Sequence, residues 1–300
     1  MKKLLLTVLA VSVSLLGSAQ LVEVASIDRV ALPDGISGDI ATLSPDGTYA
    51  VLGQMGGKTL YKVDLSTGAT SVITDNGNAS GVTISPDGNN VVFRTYSFDN
   101  SHLRHTGINC VDMANGREYQ LVKPSRHLNA GIAISAAGIT AVDNGRARVC
   151  SFNGQRAASM PVASINYGHL DITVGGKTTT IDPQGRGSYL WPSISPDGTK
   201  VAYVLSGAGA FVCNIDGTNP IALGRLHAPR WVGNDLIVGM DDRDNGQQIT
   251  SSEVILTNLS GVRQSISLPG HIAIYPSAST NGSVVAYCTT DGELYIVTLK

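Results

Sequence analysis

The chain of 300 residues carries a formal net charge of −2 at pH 7, with 42% hydrophobic and 15% charged residues, the balance of a folded core rather than of a disordered chain. No basic excess is present, which argues against nucleic acid or an anionic lipid surface as partner, since both need concentrated positive charge. The four cysteines, Cys110, Cys150, Cys213 and Cys288, lie in separate apolar runs, where a thiol serves as a small hydrophobe, and no disulfide is expected.

In chain order, the opening "MKKLLLTVLAVSVSLLGSAQ" places two lysines before an apolar run from Leu4 to Leu16 and a small-residue end at Gly17-Ser18-Ala19. This is the pattern of a signal peptide, 1–19, cleaved after Ala19. The apolar run is shorter than the roughly 20 residues of a membrane-spanning helix, so no transmembrane segment is expected after cleavage, and no cysteine follows for a lipid anchor. The expected location is the periplasm or the extracellular medium. A strand-like run follows at 21–32, "LVEVASIDRVAL".

One turn then recurs six times: "LSPDG" (43–47), "ISPDG" (84–88), "ISAAG" (134–138), "ISPDG" (194–198), "WVGND" (231–235) and "ASTNG" (278–282). Each precedes a short apolar run, such as "NVVFRTY" or "KVAYVLS", that reads as a strand. In most units a second pair follows, as in "TLYKVDLSTGATSVIT" and "AFVCNIDGTNPIALG". Four strands per unit, at about 47 residues each, predict an all-β, six-bladed β-propeller of four-stranded antiparallel blades. Pro192, Pro229 and Pro276 fall at one offset before the turn, in runs predicted to be innermost strands, whose free edge tolerates a residue without an N–H. The last unit shows only three strands, so the run at 21–32 is expected to close it and remove the open edge. Residues 20–300 are thus expected to form a single domain. The segment 164–190, "SINYGHLDITVGGKTTTIDPQGRGSYL", is read as an insertion, with a degenerate seventh blade as the alternative.

The apolar-SPDG-apolar turn followed by "LYKVDLSTG" or "FVCNIDGTNP" resembles the TolB-type, WD40-like (PD40) propeller repeat. The resemblance covers about residues 21–300 and is clearest at 41–74, 81–122 and 191–224. Related blades form the propeller domain of prolyl oligopeptidases and dipeptidyl peptidases. Those peptidases carry a G-x-S-x-G nucleophile on an α/β-hydrolase domain, and neither is found in this sequence. Resemblance to TolB implies interaction with envelope proteins; propellers as a class host many activities.

With strands A to D counted outward, B–C loops and D–A connections emerge on one face of the disc. All six histidines map there: His102 and His105 in a B–C loop, and His127, His169, His227 and His271 in D–A connections. Arg104, Arg126, Arg225, Trp191, Tyr167, Tyr189 and Tyr275 occupy the same loops or the starts of A strands. Such residues are enriched in binding hot spots, so this rim is the candidate recognition surface. Trp191, Trp231 and Tyr275 also suit packing between blades. The run "MDDRDNGQQ" (240–248) keeps part of a calcium-loop pattern, with Asp242 and Asp244 as weak candidate ligands, but lacks its distant Glu.

Two classes of function are compatible with these features. The first is a noncatalytic binding module, monomeric and without cofactor, that docks an envelope protein, peptide or glycan. The second is an enzyme on the same scaffold, such as a metal-dependent polysaccharide lyase using the histidines as ligands. The first is the expected one.

Overall fold

The computed structural model describes residues 20–78, 81–128 and 131–300; the expected signal peptide, 1–19, lies outside the described residues. Among these residues the chain is built of 26 β-strands in seven antiparallel sheets, with no helix long and apolar enough to cross a membrane. The sheets are the blades of a propeller. Blade 7 begins the chain, with β1 (Val24–Val30), and blade 1 comprises β2 (Ile40–Leu43), β3 (Tyr49–Gly53), β4 (Leu60–Asp64) and β5 (Thr70–Thr74). Blade 2 comprises β6 (Thr83–Ile84), β7 (Asn90–Phe98), β8 (Arg104–Asp112) and β9 (Arg117–Ser125). Blade 3 has β10 (Ile132–Ser135), β11 (Gly138–Asp143) and β12 (Arg146–Ser151), and blade 4 has β13 (Val162–Asn166), β14 (His169–Val174) and β15 (Lys177–Thr180).

Blade 5 holds β16 (Tyr189–Ile194), β17 (Lys200–Leu205), β18 (Gly209–Asn214) and β19 (Ile221–Gly224). Blade 6 holds β20 (His227–Val232), β21 (Leu236–Asp244), β22 (Ile249–Asn258) and β23 (Arg263–Ser265). Blade 7 is completed by β24 (Ala273–Ala278), β25 (Val284–Thr289) and β26 (Leu294–Leu299), and β1 pairs with β26 as its fourth strand.

The expected six blades are therefore corrected to seven. Residues 164–190 do not decorate one face; their strands β13, β14 and β15 form a sheet of their own within the ring. That blade lacks the repeated turn and one strand, which hides it from a repeat search. Five blades are four-stranded and blades 3 and 4 are three-stranded. The missing strands form a pair. Blade 3 ends after its third strand, so the chain leaves it on the face of the SPDG turns. Accordingly β13 starts there, with Pro161 beside Gly198 of the blade 5 turn, and the β13–β14 turn ends on the opposite face, where Gly168 accepts the Tyr189 N–H at 2.9 Å. Blade 4 thus lacks the usual first strand, and β16 enters blade 5 in the normal direction.

The repeated turn is a small hydrogen-bonded unit. Ser44, fully buried, donates from Oγ to Asp46 at 2.7 Å and accepts the N–H groups of Thr48 at 3.1 Å and Tyr49 at 3.0 Å. Ser85 accepts the Asn90 N–H at 2.9 Å, Ser195 that of Lys200 at 3.0 Å, and Ser279 that of Val284 at 3.0 Å. The glycine that follows adopts a φ of 73° or 74° at Gly47, Gly88, Gly198 and Gly282, a conformation a side chain resists. Donation by the serine hydroxyl is the main cause holding the Asp46 and Asp197 carboxyls below the usual carboxylate range.

Each sheet stands radially with a neighbour on both faces, so strands such as β17 are apolar on both sides: Ala202 and Val204 pack toward blade 6, Val201 and Tyr203 toward blade 4. Apolar clusters fill six of the seven spaces between blades. The seventh, between blades 3 and 4, mixes buried Val142 and Val162 with polar groups: buried Thr140 accepts the Met160 N–H at 2.9 Å, and Thr173 bonds Thr178 at 2.7 Å within blade 4. Bonds between a side chain and a main-chain group tie blades together elsewhere, including Trp231 Nε1 to Ser193 O at 2.8 Å between blades 6 and 5, and Leu43 N to Ser277 Oγ at 3.1 Å between blades 1 and 7. All four cysteines are free thiols; burial pushes Cys110 up to about 11 and Cys213 up to about 12.

Candidate functional site: the rim face of the propeller

The face opposite the SPDG turns carries the B–C loops and the starts of the A strands. Its central feature is repeated in three consecutive blades. Trp191-Pro192, Ala228-Pro229 and Tyr275-Pro276 each oppose a single residue of the neighbouring strand, forming bulges in β16, β20 and β24. The first residue of each pair is left-handed, with φ of 46°, 46° and 47°. For a residue with a side chain this conformation costs about 1–2 kcal/mol. The bulge lets the proline sit where no ladder donor is needed and re-aims the residue before it. At Trp191 it leaves the indole 37% exposed at the channel mouth.

Around it the side chains form an arc. The Trp191 and His227 rings lie 5.3 Å apart, and His227 Nδ1 is 2.6 Å from Asp242 Oδ1. Tyr275 is next: burial first, then the negative charges of Asp242 and Asp39, raise its phenol above the usual value. The arc thus runs from blade 5 to blade 1 along one side of the mouth. Outside it, Asp241 receives Arg225 at 3.2 Å and Arg263 at 3.0 Å, clamping blade 6 to the end of blade 5.

The remaining candidate residues share the face but are dispersed around it. His105 lies 3.1 Å from Asp99 in the long β7–β8 hairpin, where Arg104 covers the Tyr96 ring at 4.8 Å and His102 is left-handed at φ 58°. His169 contacts Asp182 at 2.5 Å in blade 4, and His271 lies 3.7 Å from Glu293 and against the Tyr295 ring. His127 and Arg126 line a separate cleft between blades 2 and 3. Tyr189 is a core residue, fully buried, its hydroxyl accepting the Gln184 N–H and donating to Gly185 O, both at 2.9 Å. Trp231 is likewise a wedge between blades.

Asp242 and Asp244 do not converge. The first is buried against His227; the second accepts the Gly246 N–H at 2.8 Å as a loop brace. Among the described residues no group of three or more His, Cys, Asp or Glu is placed to hold a metal ion.

Sequence reasoning placed these residues on one face but did not single out Met55, Phe98, Leu103 or Leu190. Of the ten large hydrophobic side chains that are exposed among the described residues, Met55, Phe98, Leu103, Tyr167, Leu190 and Trp191 lie on this face. Tyr167, in the β13–β14 turn, is 98% exposed. The available signal was the length of the hairpin between Asn90 and Asp112, which projects Phe98 and Leu103 past the ring.

No family model and no curated protein matches this chain. In structure the chain is similar to 1004 solved chains, a breadth that fits a scaffold reused for unrelated tasks. One of them belongs to the crystal structure of a mitotic checkpoint complex, with a TM-score of 0.59 and 12% identity over 98% of this chain and 100% of that one. The likeness is one of fold: a β-propeller.

Proposed function

We propose that the protein is a noncatalytic, exported, TolB-like propeller that docks a protein or peptide partner on its rim face. The observation that carries this reading is that six of the ten exposed large hydrophobic side chains among the described residues lie on that face, which also bears the arc of Trp191, His227 and Tyr275. Exposed aromatic and aliphatic groups rimmed by charged pairs are the usual composition of a docking surface. The bulges at Trp191 and Tyr275 support it, since strained backbone gathers where the fold sustains it for a task. Export is supported by the sequence pattern of residues 1–19.

The test is photo-crosslinking in intact cells from a benzoylphenylalanine placed at Tyr167 or Phe98, against one placed at Asn89 on the SPDG face. Discrete adducts from the first two positions alone are expected, and Trp191→Gly, which suits the left-handed backbone, removes them without unfolding the protein. Equal adducts from Asn89 would refute the reading. So would one equivalent of tightly held transition metal in protein purified without chelator, lost in a His127→Ala/His227→Ala variant; that result would favour the enzyme.

A further inference from the structure

Blade 3 stops one strand short, and the vacancy has a shape. Among the described residues β12 pairs with β11 on one side and with no strand on the other. The Asn144-Gly145 turn, with φ of 50° and 71°, is of the two-residue kind that makes Asp143 and Arg146 a hydrogen-bonded pair. Arg146, Arg148 and Cys150 therefore turn their main-chain groups toward β11, while Ala147 and Val149 turn theirs to the open side. Every blade ends in an outer edge, but β12 is a third strand beside the fourth strand of blade 2, so its edge is recessed. The recess is a cavity of about 820 Å³ between Leu121–His127 of blade 2 and Asp143, Arg148, Val149 and Cys150 of blade 3.

Its chemistry is distinct from that of the chain. The walls are apolar at Leu121, Val122, Pro124 and Val149, and their charged groups are Lys123, Arg126 and Arg148 against one carboxylate, Asp143. Arg148 pairs with Asp143 at 2.8 Å, whereas Lys123 and Arg146 make no ion pair with the described residues. A cationic groove in a chain of net charge −2 selects for negative charge. A second copy of this chain would bring Arg146 and Arg148 against their own kind.

We propose that this recess captures an extended acidic peptide segment of a partner protein, which adds to β12 as the fourth strand that blade 3 lacks. The main chain of the segment bonds to Ala147 and Val149, its acidic side chains face blade 2, toward Lys123 and the side of Arg146, and its apolar ones turn to the other face, beside Ala147 and Val149. This site is separate from the channel mouth, so Trp191→Gly leaves it intact.

The test uses the whole protein and a fluorescein-labelled, acetylated octapeptide of alternating Glu and Val, read by anisotropy. Saturable binding with Kd below about 1 mM is expected, weakened about tenfold or more by Lys123→Glu and by raising salt. Methylating the alternate amide nitrogens of the peptide is expected to abolish binding. Val149→Pro removes an outward N–H while leaving the bonds to β11, and is expected to do the same. Should Val149→Pro fail to fold, the methylated peptide still tests the ladder. The proposal is overturned by no saturation at 1 mM, by equal binding of a Lys/Val octapeptide, or by equal binding of the methylated peptide. It is also overturned by a dimer in solution whose β12 amides are protected from exchange, which would make the second copy the occupant.

Discussion

Substituting Ser85 by alanine isolates the repeated turn as a source of stability. The hydroxyl is fully buried, accepts the Asn90 N–H at 2.9 Å and donates to Asp87. Asn90 is itself 4% exposed, so water cannot take the place of the lost acceptor. An orphaned buried N–H costs about 1–3 kcal/mol. Asp87 keeps two donors from Asn89 and is open enough to hydrate, so it adds little. We expect a loss of about 2 kcal/mol in urea unfolding followed by circular dichroism, with an unchanged m value. Ser66→Ala, which removes an exposed hydroxyl from Asp64, is the control and should cost about 0.5 kcal/mol or less. If the two variants lost equal stability, the buried serine would not be what holds the turn.

Trp231→Phe keeps the wedge between blades 5 and 6 but leaves Ser193 O without its donor at 2.8 Å; a loss of about 1 kcal/mol in the same assay is expected, and none would show the bond to be dispensable. Deleting residues 20–31 removes β1 and bares β26, so thermal unfolding should start lower and aggregation should follow, with a synthetic peptide of that sequence added in trans restoring both; an unchanged melt would mean that closure is redundant. The turn carboxyls give a pH dependence. Asp46 and Asp197 are lowered in the folded state, and Asp64 is lowered to about 2, so their contribution is full above about pH 4 and is lost as pH falls through the folded values. Urea midpoints measured from pH 5 to 2.5 should fall, and less steeply in a Ser44→Ala/Ser195→Ala variant; a flat profile would contradict the assignment.

Much of the fold was legible because one local solution recurs. Ser-x-Asp-Gly specifies its own hydrogen bonds and its own positive φ, so wherever it stands the strands on either side are fixed. The seventh blade was legible only as the alternative to an insertion, for the same reason: its strands are joined by Tyr167-Gly168 and Gly175-Gly176, turns of ordinary hairpins, and its contact with blade 3 mixes threonines with valines. Proline placement revealed the inner strands, yet the consequence of each proline, a left-handed residue before it, depends on the strand opposite and is invisible locally. The rim assignment followed from strand parity. Which of its residues touch did not, because Trp191, His227, Asp242 and Tyr275 come from three blades and meet only when the ring closes.

Strand parity also governs how a ring of this kind can change length. A lone strand lost or gained would deliver every later blade upside down, with its loops on the wrong face and its apolar pattern out of step. The chain between Ser151 and Val162 shows the permitted alternative: an outer strand and the inner strand that would follow it are absent together, across a blade boundary, and everything after Tyr189 is undisturbed. Indels in such a chain are quantised in twos. The natural place for them is the boundary between blades, where the excised pair leaves behind a vacancy rather than a misthreaded fold.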